Sequence, residues 1–257
     1  MSCGGRGWSR WRATRWGCGW RRWWSLRGGR RAAHLLRVLR VVKGDPLRAG
    51  VVDQGTGEAV VVATGPDWVE VEVGLRAPVE AEPPVDLLLA VPRPKVARRL
   101  LADLACLGVG TLHLTNAWRV ERSYFASPVL TPEAIGHALR LGLEQAGAVR
   151  LPKVVIHHRL MAFVGDTLPT LHHDRRLVAH PAASLPLAAA AGRSLLALGP
   201  EGGWIERELE TLRAAGFTPV SLGPRVLRSE TAAIVAVAVA TEFVGVASTG
   251  LGVRRSD

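Results

Sequence analysis

Two loops near the C-terminal end bring together residue types suited to holding a small polar molecule: Leu198-Gly-Pro-Glu-Gly-Gly-Trp204 and Leu222-Gly-Pro-Arg-Val-Leu-Arg-Ser-Glu-Thr-Ala232. In the first, Gly199, Gly202 and Gly203 allow a sharp turn and a close approach of backbone to a ligand, Pro200 stiffens the turn, and Glu201 adds a carboxylate. In the second, Arg225, Arg228 and Glu230 crowd into one polar turn. An ordinary glycine-rich turn would explain either loop alone, and a solvated ion-pair cluster at a helix start would explain the charges. Two such loops in succession favour a site. Neither is G-x-G-x-x-G, and no G-x-x-x-x-G-K-[ST] occurs, which argues against a dinucleotide fold or a Walker loop. No serine sits in a G-x-S-x-G elbow, so a hydrolase triad has no anchor. His157-His158 and His172-His173 lack a completing Cys or carboxylate, and neighbours on a strand face opposite ways, so no metal site is expected.

The elements around these loops have the rhythm of a parallel α/β sheet. Ser194 to Leu198 and Phe217 to Leu222 read as strands, each followed by a loop and then a helix: Glu206 to Ala215 after the first, Thr231 to Val244 after the second. Two strand-to-helix loops side by side make a crevice at strand carboxyl ends. Upstream, Val85 to Val91, Thr111 to Thr115 and Val154 to His157 read as strands, and Lys95 to Leu107 and Pro132 to Ala146 as helices. Between Leu35 and Val73 the runs are short and β-branched: Val38 to Val42, Val51-Val52, Val60 to Thr64 and Trp68 to Val73. Gly44-Asp45, Gly55-Thr-Gly57 and Gly65-Pro-Asp67 separate them, the pattern of a small β-barrel. Arg76 to Pro84 reads as the linker.

The two loops resemble the cofactor loops of the ribosomal RNA small-subunit methyltransferase E family, a branch of the SPOUT class of RNA methyltransferases. Weaker matches are Arg31-Ala-Ala-His-Leu-Leu-Arg-Val-Leu-Arg40 with Lys43-Gly-Asp45, Leu88-Leu-Ala-Val-Pro-Arg-Pro-Lys95, Leu107-Gly-Val109 and Glu121-Arg-Ser123. The resemblance implies an α/β fold with a trefoil-knotted parallel-sheet domain over residues 84–249, preceded by a PUA-like or OB-like RNA-binding barrel over 25–80. It implies S-adenosylmethionine as cofactor, held by Leu198, Gly199, Pro200, Glu201, Gly202, Gly203, Leu222, Gly223, Arg225, Val226, Leu227 and Thr231. Arg228 and Glu230 are the implied catalytic pair, acting on N3 of a uridine in the 16S RNA of the small ribosomal subunit. A homodimer is implied, with the apolar helical stretch Ala232 to Val244 buried in it. The chain departs from the family at Ala146-Gly147-Ala148, where an arginine is common, at Lys153, where a glutamate is usual, and at Ser229, which keeps the hydroxyl of a threonine.

Composition sets limits. The 257 residues, 48% hydrophobic, can bury a sizeable core. The formal charge of +11 invites an RNA partner, but twelve of the 33 Lys and Arg precede Asp45, the first acidic residue. The rest of the chain is close to neutral, so the bulk charge argument rests on the N-terminal stretch. Six of the nine Trp fall within residues 1–24, among Arg, Gly and Cys. That segment is expected to add little to the fold, as a tail translated from too early a start or out of frame. A Trp/Arg tail that stacks on bases or seats at a membrane interface is the alternative. Three Cys with neither a CxxC pair nor a disulfide ladder, no secretory apolar block, and no apolar run of membrane length point to the cytoplasm, with no membrane partner. The rival to a methyltransferase is an RNA-binding protein without catalysis, or a relative acting on another RNA.

Overall fold

The structure is a computed structural model that describes residues 13–15 and 20–241, with side chains described from Trp23 onward. Trp8, Trp11 and Trp16, and the end of the expected apolar helix at 242–244, lie outside the described residues. The chain divides into two units, one up to Glu80 together with Gly147–Arg150, the other Ala81–Ala146 with the chain from Leu151.

The first unit is an antiparallel sheet of β1 (Ala13–Arg15), β2 (Trp20–Arg27), β3 (Pro46–Val51), β4 (Gly55–Thr64) and β5 (Trp68–Ala77), in the order β1-β2-β5-β4-β3. Alternation drives it: Val69, Val71 and Val73 of β5 are buried while Glu70 and Glu72 face away, and Ala59 and Val61 of β4 join the same core. The β4–β5 turn needs glycine, since a Cβ at Gly65 would sit 2.1 Å from the Trp68 indole nitrogen. The Glu80 carboxylate accepts the N–H groups of Val149 and Arg150, both at 3.0 Å, which is how the later segment 147–150 rejoins this unit.

Two expectations are corrected here. Residues 20–24, assigned from composition to a dispensable tail, belong to β2: Arg21 to Trp24 pair with Gly74 back to Val71, and Trp24 packs against the core. The skewed composition hid a strand whose Trp24 and Leu26 lie two apart on one face. The strand expected at Val38 to Val42 is instead the end of a helical segment and a loop, with α1 at Gly29–Ala33 and a π-helical turn at His34–Val38. Ala32, Leu35 and Leu36 lie three and four apart; Ala32 is buried and the two leucines pack against the sheet core, so the helical period outweighs the valines. Val38 and Val42 are left exposed.

The second unit is a six-stranded parallel sheet of β6 (Val85–Ala90), β7 (Thr111–Thr115), β8 (Lys153–His157), β9 (Arg175–Ala179), β10 (Ser194–Leu198) and β11 (Thr218–Val220), ordered β11-β9-β10-β6-β7-β8. Its helices are α2 (Pro94–Leu107), α3 (Pro132–Ala146), the short α4 (Leu160–Ala162), α5 (Glu206–Ala214) and α6 (Ser229–Ala240). The central strands β6 and β10 are buried at every residue, as parallel strands covered on both faces must be. α2 ends at Gly108, left-handed at φ 79°, and packs on α3 so closely that a Cβ at Gly142 would meet the Ala102 carbonyl oxygen at 2.0 Å. α6 packs on α2 and β10. β9 was not expected: its Arg175-Arg176 start masks a strand, and the guanidiniums are absorbed by Ser194 Oγ, Ala188 O and Ala215 O.

Asp86 and His113 are ionisable groups buried inside this unit. Burial acts to raise the pKa of Asp86, but hydrogen bonds from His173 (2.7 Å), Arg193 and the Thr111 N–H (2.6 Å) outweigh it and hold the carboxyl below its ordinary range. His113 lies 3.0 Å from His157 and packs its ring on Phe163. Burial, then the proximity of His157, pushes its pKa down to about 4.

Two predictions follow from these elements. A chain starting at Ser25 loses the four residues of β2 from Arg21 to Trp24 that pair with β5, and its thermal midpoint should fall by about 5 °C or more; an unchanged midpoint would show that the strand contributes nothing. The depressed pKa of His113 means that the unfolded chain takes up a proton the fold refuses. Its stabilising contribution is therefore complete above pH 6.5 and is lost as pH falls toward 4, by about 3 kcal/mol. Urea unfolding at pH 7 and pH 4.5 should show a smaller loss for His113→Phe than for the unmodified chain, and equal losses would refute this.

Candidate cofactor and substrate site

The first glycine loop starts where β10 ends. β10 pairs in parallel with β6 on one side and β9 on the other, which fixes the exit point of the loop at the carboxyl edge of the sheet. β6 leads away to β7 while β10 leads through α5 to β11, on the far side of β9, so the chain diverges between β6 and β10. Crevices at such divergence points are where open α/β sheets bind ligands. Here Arg93, just after β6, faces Glu201 at 3.8 Å.

Within the loop each glycine has a different reason. A Cβ at Gly199 would come within 3.2 Å of the Trp204 backbone nitrogen and indole, because Trp204 is buried directly beneath. Gly203 is left-handed at φ 74°, donates to Pro200 O at 2.8 Å, and has open space where a side chain would project. Gly202, expected to share that backbone requirement, does not have a positive φ. Its neighbour is Arg119, whose guanidinium donates to the Gly202 carbonyl.

The residue that secures the loop was not singled out from the sequence. Glu208 is buried; its carboxylate accepts the Ile205 N–H at 3.0 Å, capping α5, and the Trp118 N–H at 2.8 Å. One charge thereby joins the loop after β7 to the loop after β10. A Glu three residues into a helix was a legible capping signal, but its long-range partner was not.

The second loop leaves β11 at Ser221, whose backbone pairs with Leu185 and Leu187. Gly223 is left-handed at φ 118° and donates to Ser221 Oγ at 3.2 Å. Leu222 and Leu227 are half-buried, whereas Arg225, Val226, Arg228 and Thr231 are exposed. Arg228 is the residue before α6, and its carbonyl accepts from Ala232 N at 2.8 Å. Ser229 Oγ donates to Glu230 at 3.4 Å. Among the described residues neither Arg225 nor Arg228 makes an ion pair or side-chain hydrogen bond, so the three charges are not the mutually satisfied cluster that a purely structural role would give. No hydrogen bond or ion pair joins the first loop to the second among the described residues.

The rings of His157 and His158, the last residue of β8 and the one after it, face different neighbours. The His157 ring lies against His113 and Phe163, and the His158 ring against Phe125. Among the described residues no three His, Cys, Asp or Glu side chains are grouped to hold a metal ion.

What the edge offers is main-chain donors and acceptors around Gly199 to Gly203, open space above Gly203 and Gly223, and unneutralised guanidiniums beside one carboxylate. Residues 80–241 match the model of the RNA methyltransferase domain family. A ribosomal RNA small subunit methyltransferase E from Treponema pallidum is 34% identical over 216 residues, 81% of each chain. The chain belongs to the ribosomal RNA small subunit methyltransferase E family. Its relative from Synechocystis is 29% identical over 80% of this chain and 68% of its own. Among solved structures, a methyltransferase from Legionella pneumophila with the cofactor SAM bound aligns with a TM-score of 0.69 and 26% identity, covering 84% of this chain and 90% of its own. The family member from Neisseria gonorrhoeae, solved with S-adenosyl methionine, shares the fold at a TM-score of 0.68 and 21% identity, over 88% and 92%.

The Glu208 bridge can be tested directly. Glu208→Ala removes the side-chain acceptor of two backbone N–H groups, and urea unfolding should show a loss of about 3 kcal/mol, with Glu208→Gln losing less. A loss below about 0.5 kcal/mol, the scale of a surface substitution, would mean that the bridge is not holding the loops.

Proposed function

We propose that this protein uses S-adenosylmethionine to methylate N3 of a uridine in the 16S RNA of the small ribosomal subunit. The observation that carries the reading is the pair of glycine loops at one carboxyl edge, in a family whose Legionella structural neighbour was solved with SAM. The glycines fit such a group: the space above Gly203 and Gly223 is clear of neighbouring atoms. The cofactor would be held by Leu198 to Gly203, Leu222, Gly223, Arg225 to Leu227 and Thr231, and when bound it supplies an electrophilic methyl carbon.

The chain's own part is to position and to manage charge. Ring N3 of uracil must give up its proton before its lone pair can attack, leaving negative charge on the ring. Arg228, with no carboxylate partner among the described residues, would stabilise that charge, and Glu230 two residues further on would orient the guanidinium or accept the proton. We further propose that the segment from β10 to α6 is threaded as the trefoil knot of the SPOUT class; the return of α6 to α2 and β10, past β9, supports this. α6 is apolar around its whole circumference, and Ile234, Val235, Ala238 and Val239 remain only partly covered, as expected of a helix that completes its burial in a homodimer. The antiparallel unit would be a PUA-like RNA-binding domain, and the cytoplasm the site of action; among the described residues no helix is long and apolar enough to cross a membrane.

The roles divide in a testable way. Arg228→Ala should bind S-adenosylmethionine with unchanged affinity by isothermal titration while methyl transfer slows by about 10²-fold, the scale of losing one donor to developing charge. Equal loss of cofactor binding and rate would make the second loop a cofactor clamp only. A chain that binds RNA but no S-adenosylmethionine would favour the non-catalytic reading.

A further inference from the structure

A cleft of about 350 Å³ opens between the carboxyl ends of β7 and β8, lined by Asn116, Arg122, Phe125, His158 and Arg159. None of these residues has a part in the site described above. The cleft nevertheless adjoins it through covalent and hydrogen-bonded links, because the loop that begins at Asn116 contains Trp118 and Arg119. The first is held by Glu208 and the second donates to Gly202.

The chemistry of the lining is specific. Phe125 and His158 form a ring step, centroids 5.3 Å apart and tilted by 45°, which offers a flat apolar surface to another ring. Arg122 and Arg159 are both exposed, and among the described residues neither is paired with a carboxylate. The nearest acid in sequence, Glu121, is engaged by Ser123 at 3.4 Å and Tyr124 at 3.1 Å. The Asn116 side-chain oxygen is buried with no donor, at the point where the Asn116 N–H bonds to His157 O. A flat surface, two free guanidiniums and an unmatched amide acceptor together suit a ligand with a planar heterocycle, flanking anions and an N–H edge. A nucleotide within a single RNA strand has all three. A free carboxylate metabolite would leave the ring step unused, and a peptide would leave the two cations without a partner.

We propose that this cleft is an RNA subsite, in which a base stacks on the Phe125–His158 step while Arg122 and Arg159 meet the phosphates on either side. The subsite rests on the proposed methylation of RNA, since it would deliver the strand to the edge where the cofactor loops lie. It also assigns a use to the arginines after β7 and β8, which the fold does not need.

Binding of a fluorescein-labelled hexauridylate to the full chain, saturated with S-adenosylhomocysteine and followed by anisotropy across a salt series, tests it. The Arg122→Ala/Arg159→Ala double variant should bind at least about tenfold more weakly, with the slope of log affinity against log salt reduced by about 1.4, the value for two lost single-strand phosphate contacts. His158→Ala, a change at an exposed position, should weaken binding by about fivefold or more with the slope unchanged. Thermal midpoints and S-adenosylhomocysteine affinity should match the unmodified chain throughout. Failure of the unmodified chain to bind the hexauridylate, or binding by both variants within twofold of it, would overturn the subsite. A parallel methyl-transfer assay on small-subunit RNA separates the two readings. Binding through the cleft without transfer defeats the proposed function and leaves the subsite standing, whereas undiminished transfer by the variants defeats the subsite and leaves the function.

Discussion

The second unit depends on the parallel pairing of β10 on both of its edges. Five residues, all buried, are locked in register with Val85 to Leu89 of β6 and, from Ser194 to Ala197, with Arg175 to Val178 of β9. A strand with no free edge and no exposed face cannot slip, because a shift by one residue would reverse every side chain. The glycine loop therefore begins at a fixed point, and its flexibility is confined to Gly199 through Gly203. Glu208 then transmits that fixed geometry to the loop after β7, using one buried carboxylate for two N–H groups from separate segments. Geometry at the site is inherited from the sheet rather than created by the loops.

The polar interior is arranged along the same sheet. Asp86, near the start of β6, gathers His173, Arg193 and the Thr111 N–H, so the amino end of the sheet is closed by a hydrogen-bonded charge network. His113 and His157 occupy the adjacent strands β7 and β8, and burial lowers the pKa of both because it disfavours the charged imidazolium. Among the described residues the guanidiniums of Arg225, Arg228, Arg122 and Arg159 are instead without ion pairs, on loops at the carboxyl edge. That contrast, paired charge at one end and available cations at the other, suits the anionic strand of the proposed function.

Much of this was legible in the sequence because apolar runs and glycine stops mark it. Strands β6, β7, β8 and β10 and helices α2 and α3 were read within a residue or two, and the two loops stood out by composition. What escaped reading did so for physical reasons. β9 begins with two arginines whose guanidiniums donate to a hydroxyl and to carbonyls 13 to 39 residues further along the chain, so no local pattern announces a strand. β2 sits in a stretch whose Trp and Arg excess drowned its alternation, and the valines at 38 to 42 suggested a strand where Ala32, Leu35 and Leu36 enforce a helix. The anchoring of Trp118 by Glu208 and of Arg119 by Gly202 spans 90 and 83 residues, which no local signal conveys. The expected role of Gly202 in backbone turning belongs to Gly203, because a run of glycines does not say which of them takes the left-handed turn.

The function proposed for this member of the family comes down to one chemical event, the appearance of a methyl group on a uracil nitrogen. Mass mapping of modified nucleotides in small-subunit RNA, compared between cells with and without this gene, measures that event directly. The account predicts one uridine that carries an N3 methyl group only when the gene is present, restored by adding the purified protein and S-adenosylmethionine to the unmethylated subunits. Identical methylation patterns in the two RNAs, with no methyl transfer on addition of the protein, would contradict it.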